Sequence, residues 1–177
     1  MRDVISRFRV PVGFVMAVLY FYVCQPTPLS LTRGCSIALL GIFLRAWASG
    51  HLHKNQSVAT SGAYAFTRNP LYLGSLIIGV GFCLVTRSYS ITAVFIILFA
   101  VSYFPVMLQE KEYLRSTFGS DYAQYEASVP LFFPRLTPSE YSPGHFDFQQ
   151  YLANKEYKAL LGYLGALVLL VLKMRIT

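Results

Sequence analysis

Charge is what this sequence has least of. Of its 177 residues only 13 % are charged, and only eight are acidic, against about 25 % charged in an ordinary soluble domain. With 55 % hydrophobic residues gathered in long runs, the deficit excludes a solvated globular enzyme and implies an integral membrane protein. Cysteine is scarce too. Cys24, Cys35 and Cys83 each lie in or beside an apolar run without C-x-x-C spacing. That excludes a disulfide framework and a thiolate metal centre, and leaves three buried, unpaired thiols. The glycine-rich dinucleotide and phosphate loops, the H-E-x-x-H zinc motif and the G-x-S-x-G nucleophile elbow are all missing. There is no internal repeat and no sign of a second domain, so residues 1–177 read as one unit. Arg2, Arg7 and Arg9 precede the first apolar run, but no small-residue cleavage site follows, and that run is expected to stay as a helix.

What is present is five apolar segments: Val10–Cys24, Leu31–Leu52, Pro70–Val85, Ile91–Leu108 and Ala159–Leu172. Crossing a bilayer takes about 20 helical residues. The last segment has 14 residues between Lys158 and Lys173, and snorkelling lysines would extend it. The expectation is an all-α bundle of about five transmembrane helices. Thr86–Ser90 is too short for anything but an antiparallel hairpin. The fourth helix should run on past Leu108 to a stop at Gly119. A further short helix then spans Asp121–Ser128, ended by Val129–Pro130. Phe146–Lys158 is aromatic-rich and suits a helix lying in the interface.

The formal charge of +7 would point to nucleic acid in a soluble protein. Here the basic residues flank apolar runs, so they read as topology signals and contacts with anionic membrane lipids, with no nucleic-acid partner. Alternating the loops puts Arg2, Arg7, Arg9, Lys54, Arg68, Lys111, Arg115, Arg135, Lys155 and Lys158 on one side, and Arg33, Arg87, Lys173 and Arg175 on the other. The ten-residue side is expected to be cytoplasmic.

The candidate chemistry gathers on that side, in the polar stretch His51–Gly74 and the mouth of the fourth helix. His51 and His53 are two apart, with Lys54 next, and face different ways on a helix. No metal is expected there. They read either as polar residues at a helix end or as cofactor contacts. Arg45 lies within the second segment, where a central arginine costs about 2.5–3.5 kcal/mol. Either it snorkels, or it meets an acid such as Glu110 or Glu112. Pro70 suits the first helical position, which puts Asn69 at the N-cap and Arg68 beside a helix N-terminus that favours anions. Glu110 and Glu112 read either as a solvated charge run or as holders of a cation.

Taken in order, Gly62-Ala63-Tyr64, Arg68-Asn69-Pro70-Leu71-Tyr72-Leu73-Gly74, the hairpin, Glu110-Lys111-Glu112-Tyr113-Leu114, Phe118-Gly119, Tyr122, Tyr125 and Val129-Pro130 resemble the integral membrane methyltransferases of the isoprenylcysteine carboxyl methyltransferase and phospholipid methyltransferase type. The resemblance covers about residues 31–134. It implies S-adenosylmethionine as cofactor in a cytoplasmic-side pocket. On that resemblance His51, Lys54, Gly62, Ala63, Tyr64, Arg68, Pro70, Tyr72, Glu110 and Glu112 bind the cofactor, and Arg68, Asn69 and Glu110 carry the chemistry. The acceptor is an amphipathic or lipid-like small molecule, with a carboxylate or thiolate favoured. Two departures stand out. The family often has His where this chain has Asn69. It usually has two adjacent glutamates, and here the second position is Lys111. Glu112 would have to substitute from about 100° further round the helix. A nicotinamide-dependent membrane reductase of the sterol-reductase kind, or a non-catalytic membrane scaffold, are the other readings.

Overall fold

The computed structural model of the protein describes residues 15, 17–53, 57–139 and 144–176. Among them every regular element is helical. The first helix (α1) is described up to residue 23, and most of the expected segment Val10–Cys24 lies outside the described residues. There follow α2 (Pro28–Ser49), a 3-10 turn at Gly62–Ala65, α3 (Pro70–Thr86), α4 (Tyr89–Ser128), α5 (Phe148–Ala153) and α6 (Tyr157–Ile176). The helices α2, α4 and α6 are long and apolar enough to cross a membrane, and α3 is a shorter apolar helix of 17 residues. At 1.5 Å per residue α3 is about 25 Å long, near the lower limit for a span. The fold is therefore a helical membrane bundle.

Local chemistry sets the boundaries. Thr27 caps α2 by accepting from the Ser30 amide, Ser30 reciprocates onto the Thr27 amide, and Pro28 supplies a first position that needs no N–H. Arg87 ends α3 in the left-handed region at φ 56°, and Ser88 caps α4 by accepting from the Ile91 amide. This is the expected antiparallel hairpin. α4 continues without a break past Leu108 until Gly119, whose φ of 53° and ψ of −119° bend it. No atom stands within 4 Å of where a Cβ at Gly119 would lie, so conformation rather than space requires glycine there. Two expectations need adjusting. The last segment is longer than Ala159–Leu172, because the helix runs on through Lys173 and Arg175 to 20 residues. The interfacial helix expected over Phe146–Lys158 covers only Phe148–Ala153; Asp147 caps it, and Lys155 breaks the chain at φ 58°.

α2 and α3 pack backbone against backbone. A Cβ added at Gly34 would stand 2.4 Å from the Gly81 carbonyl, and one at Gly41 would stand 2.6 Å from the Gly74 carbonyl. Two glycines seven apart on each antiparallel helix thus meet pairwise, the close approach that small residues permit in a bilayer. Toward α6, Cys24, Leu31, Cys35, Ala38, Ile42, Val85, Tyr163 and Leu170 form the buried core. Tyr163 donates its hydroxyl to the Cys35 carbonyl at 3.1 Å. The three cysteines are buried and free, as their setting predicts. The stiff α2–α3 pair fixes where Arg45, near the end of α2, and Arg68, just before α3, can lie.

Candidate active site

The segment between α2 and α3 has little regular structure, and hydrogen bonds hold much of its described backbone from residue 64 on. Residues 130–139 run beside it: Arg68 N–H donates to the Pro130 carbonyl at 3.0 Å, Arg135 N–H to Phe66 at 3.0 Å, and Ser139 N–H to Ala65 at 3.0 Å. The Tyr125 hydroxyl donates to the Tyr64 carbonyl at 2.7 Å, and Thr67 Oγ1 donates to the Phe132 carbonyl at 2.8 Å. The bend at Gly119 makes this possible by turning Tyr122, Tyr125 and Val129 inward, where all three are buried. Asn69 takes the N-cap position of α3 but does not cap it. Its side-chain amide instead donates to the Leu131 carbonyl at 2.9 Å.

These elements enclose a cavity of about 600 Å³ at one end of the bundle, within the usual range for small-molecule sites. Of the residues singled out in the sequence, Tyr64, Arg68, Asn69, Pro70, Tyr72 and Glu110 line it. Two separate stretches of chain, residues 64–72 and the mouth of α4, thus meet at one place. Tyr72 donates to Glu110 Oε1 at 2.7 Å, and its ring lies 5.3 Å from that of Tyr103, between centroids. Arg68 Nη1 donates to Glu126 Oε1 at 2.9 Å and to the Tyr122 hydroxyl at 3.2 Å. Its Nε is buried without a partner, and its side chain is 10 % exposed.

Other expected residues lie elsewhere. His51 is buried behind the wall, with Nδ1 3.0 Å from Ser61 Oγ. Gly62 holds φ +60° against its ring, where a Cβ would stand 2.5 Å away. Ala63 is buried beside Ala48. Glu112 lines a separate shallow depression with Gln109 and Ser116. Lys54 lies outside the described residues. Among the described residues no group of three His, Cys, Asp or Glu could hold a metal ion.

Arg45 is satisfied in a way the sequence did not reveal. Its partner is neither Glu110 nor Glu112 but Glu156. Nε meets Oε2 at 3.0 Å and Nη2 meets Oε1 at 2.9 Å, while Nη1 donates to the Leu71 carbonyl and to Ser75 Oγ. Both side chains line the cavity. The neighbouring Asn154 donates to the carbonyls of Ser49 and Leu52, so the α5–α6 turn closes the end of α2. Lys111, standing where a second glutamate was expected, pairs with Glu126 at 2.9 Å. Sequence reasoning missed Glu126 and Glu156 as partners; the signal was that a chain with eight acids has few to spare for its cations.

The electrostatics follow from these contacts. Partial burial alone would raise the Glu126 carboxyl, but hydrogen bonds from Lys111 and Arg68 hold it below the ordinary glutamate value. Burial pushes the Tyr64 phenol well up, helped by Tyr125 and by the carboxylates of Glu110 and Glu156. Burial also lowers His51, with His53 and His145 adding to it, so its imidazole stays neutral. The cavity therefore offers a neutral phenol, one buried unpartnered guanidinium nitrogen and one carboxylate held by a phenol. Such a site can hold a zwitterion of mixed polarity.

The profile of the phospholipid methyltransferase family matches residues 30–121. The cobalt-zinc-cadmium resistance protein CzcN of Cupriavidus metallidurans is 36 % identical over 143 residues, covering 77 % of this chain and 66 % of that protein. The nickel-cobalt-cadmium resistance protein NccN of Alcaligenes xylosoxydans xylosoxydans is 28 % identical over 108 residues, covering 58 % of this chain and 50 % of that protein. The protein-S-isoprenylcysteine O-methyltransferase of Schizosaccharomyces pombe is 30 % identical over 84 residues, covering 48 % of this chain and 36 % of that protein. The chain thus spans less than two thirds of the length of each of these relatives. No solved structure matches it. The family profile covers 92 of the 177 residues and includes most of the cavity wall. The chain belongs to the phospholipid methyltransferase family of membrane methyltransferases.

Proposed function

We propose that the cavity holds S-adenosylmethionine and that the protein passes a methyl group to a lipid-like or amphipathic acceptor at the cytoplasmic face of the membrane. The observation that carries this reading is the convergence of Tyr64, Arg68, Pro70, Tyr72 and Glu110, with Tyr103, on one cavity of about 600 Å³. The residues present fit the cofactor. The buried Arg68 Nε is a donor suited to a carboxylate. The Tyr72–Glu110 pair suits a sulfonium or ammonium. The rings of Tyr103, Tyr113 and Phe118 offer faces for a purine. When bound, S-adenosylmethionine supplies an electrophilic methyl carbon on sulfur.

The chain's own contribution is to position the reactants and exclude water. Arg68 is held by Glu126 and Tyr122, and Glu110 is oriented by Tyr72. Asn69 carries no titrating group, and its amide is committed to Leu131. The cavity is thus poor in bases, with His53 its one lining imidazole among the described residues. An amine must lose a proton before attack, whereas a carboxylate need not. That favours a carboxylate acceptor, with a thiolate second. The O-methyltransferase relative, whose name states an isoprenylcysteine substrate, supports an oxygen acceptor on an apolar tail. The names of the two bacterial relatives add a physiological setting, resistance to cobalt, zinc, cadmium or nickel. The excess of basic residues at the cavity end supports its cytoplasmic placement.

Incubating the purified protein with radiolabelled methyl donor and a lipid extract tests the acceptor. A labelled product that releases its label as methanol in mild base is expected. A base-stable N-methylated lipid would overturn the carboxylate assignment.

A further inference from the structure

At the end of the bundle opposite the cavity, α2 begins, α3 ends and α4 begins. There Thr27, Thr32, Arg33, Ser36, Leu84 and Arg87 line an open groove of about 720 Å³. Gly34 packs directly against Gly81 and Val85, so Arg33 and Arg87 flank one close helix crossing. Both arginines are exposed. Neither has an ion-pair partner among the described residues, where the salt bridges are Arg45–Glu156, Arg68–Glu126 and Lys111–Glu126. No Asp or Glu occurs from Val4 to Gln109, and the acids of the later helices sit at the cavity end. The N-terminus of the 22-residue α2 opens into the same groove and adds positive potential.

Orientation signalling does not account for this pair, because it lies at the end carrying fewer basic residues. Fold stability does not account for Arg87 either. It holds a left-handed φ of 56°, a position that glycine or asparagine fills at less cost.

We propose that this groove seats an anionic phospholipid from the leaflet opposite the candidate active site. Its phosphate lies between Arg33 and Arg87, where guanidinium donors and the start of α2 act together. One acyl chain follows Ile37 and Leu84, which line the apolar part of the groove. The site is independent of the methyl-transfer reading.

The full chain in an uncharged detergent provides the test. Unfolding is followed by reaction of the buried Cys24, Cys35 and Cys83 with a maleimide fluorophore. Phosphatidylglycerol should raise the melting temperature saturably. Phosphatidylcholine of the same chains should do so far less, and inorganic phosphate not at all. Arg33→Gln or Arg87→Gln should raise the half-saturating phosphatidylglycerol concentration by roughly fivefold, and the double variant by roughly 30-fold. Arg115→Gln, at the other end of the molecule, should change nothing. Arg87→Gly separates lipid binding from damage to the fold, because glycine relieves the left-handed backbone. It should melt no earlier than the parent in detergent alone, yet need roughly fivefold more phosphatidylglycerol for half-saturation, as Arg87→Gln does. Equal phosphatidylglycerol responses in the parent and the double variant, or equal responses to the two lipids, would overturn the proposal.

Discussion

Replacing Glu156 with glutamine isolates what the Arg45–Glu156 fork contributes. The change keeps shape and one oxygen acceptor but removes the charge. Two charge-assisted hydrogen bonds are affected, at 3.0 and 2.9 Å, each worth about 1.5–3 kcal/mol. The side chains are 21 % and 14 % exposed, so solvent screening takes the estimate toward its lower end. The glutamine oxygen recovers part of one bond. A net loss of about 2–3 kcal/mol is expected, because an arginine charge near the end of α2 is left with only Ser75 and the Leu71 carbonyl. For a chain of this size that lowers the melting temperature by roughly 5–10 °C. Removing both charges is different. Arg45→Met with Glu156→Leu leaves no unpaired ion, and a buried pair replaced by apolar groups of similar volume is often neutral or better. The double variant should therefore melt within a few degrees of the parent, and well above either single variant of the cycle, Arg45→Met or Glu156→Leu. Thermal unfolding in detergent across this cycle measures the coupling. If the single losses simply add in the double variant, the fork is not the interaction described here.

Three further outcomes are expected. Gly41→Ala puts a methyl 2.6 Å from the Gly74 carbonyl and 2.9 Å from the Ile78 amide, forcing α2 and α3 apart; it should cost about 1–3 kcal/mol, while Leu40→Ala, at a position 63 % exposed, should cost less in the same melting assay. Glu126 has a folded pKa held below its unfolded value, so its contribution is present above the unfolded value near 4.3 and is lost as pH falls through the folded one. Melting temperature in the parent should therefore drop with acid below about pH 4.3, and Glu126→Gln should flatten that part of the curve. Single cysteines at Ser88 and at the exposed Ser116, in a chain lacking the native three, should react with an impermeant maleimide from opposite sides of the membrane; same-side reaction would refute the proposed topology.

Local signals made most of the helix ends readable in the sequence. Pro70, the Thr86–Ser90 turn, Gly119 and Val129–Pro130 each act within a few residues, and α3 and the bent α4 lie where these predict. The end of α6 was harder to read, because Lys173 and Arg175 look like a boundary although a helix carries them through. Pairing over long separations was not legible. Arg45 and Glu156 are 111 residues apart, and no spacing rule links them. Asn69 shows the same limit at short range. Its position before Pro70 marks a helix start, but the Leu131 carbonyl, brought in by the tertiary fold, takes its side chain instead. The glycine contacts between α2 and α3 depend on a register that only the folded pair fixes.

The central claim is that the cavity binds S-adenosylmethionine through residues of the 64–72 stretch and the mouth of α4. Isothermal titration of the detergent-solubilised protein tests it most directly. The parent should bind S-adenosylmethionine and not NADPH, and Tyr64→Ala, Arg68→Ala and Glu110→Gln should each bind it roughly 10- to 150-fold more weakly while still melting cooperatively. Heat of binding from NADPH alone, or S-adenosylmethionine affinity unchanged in all three variants, would contradict the account.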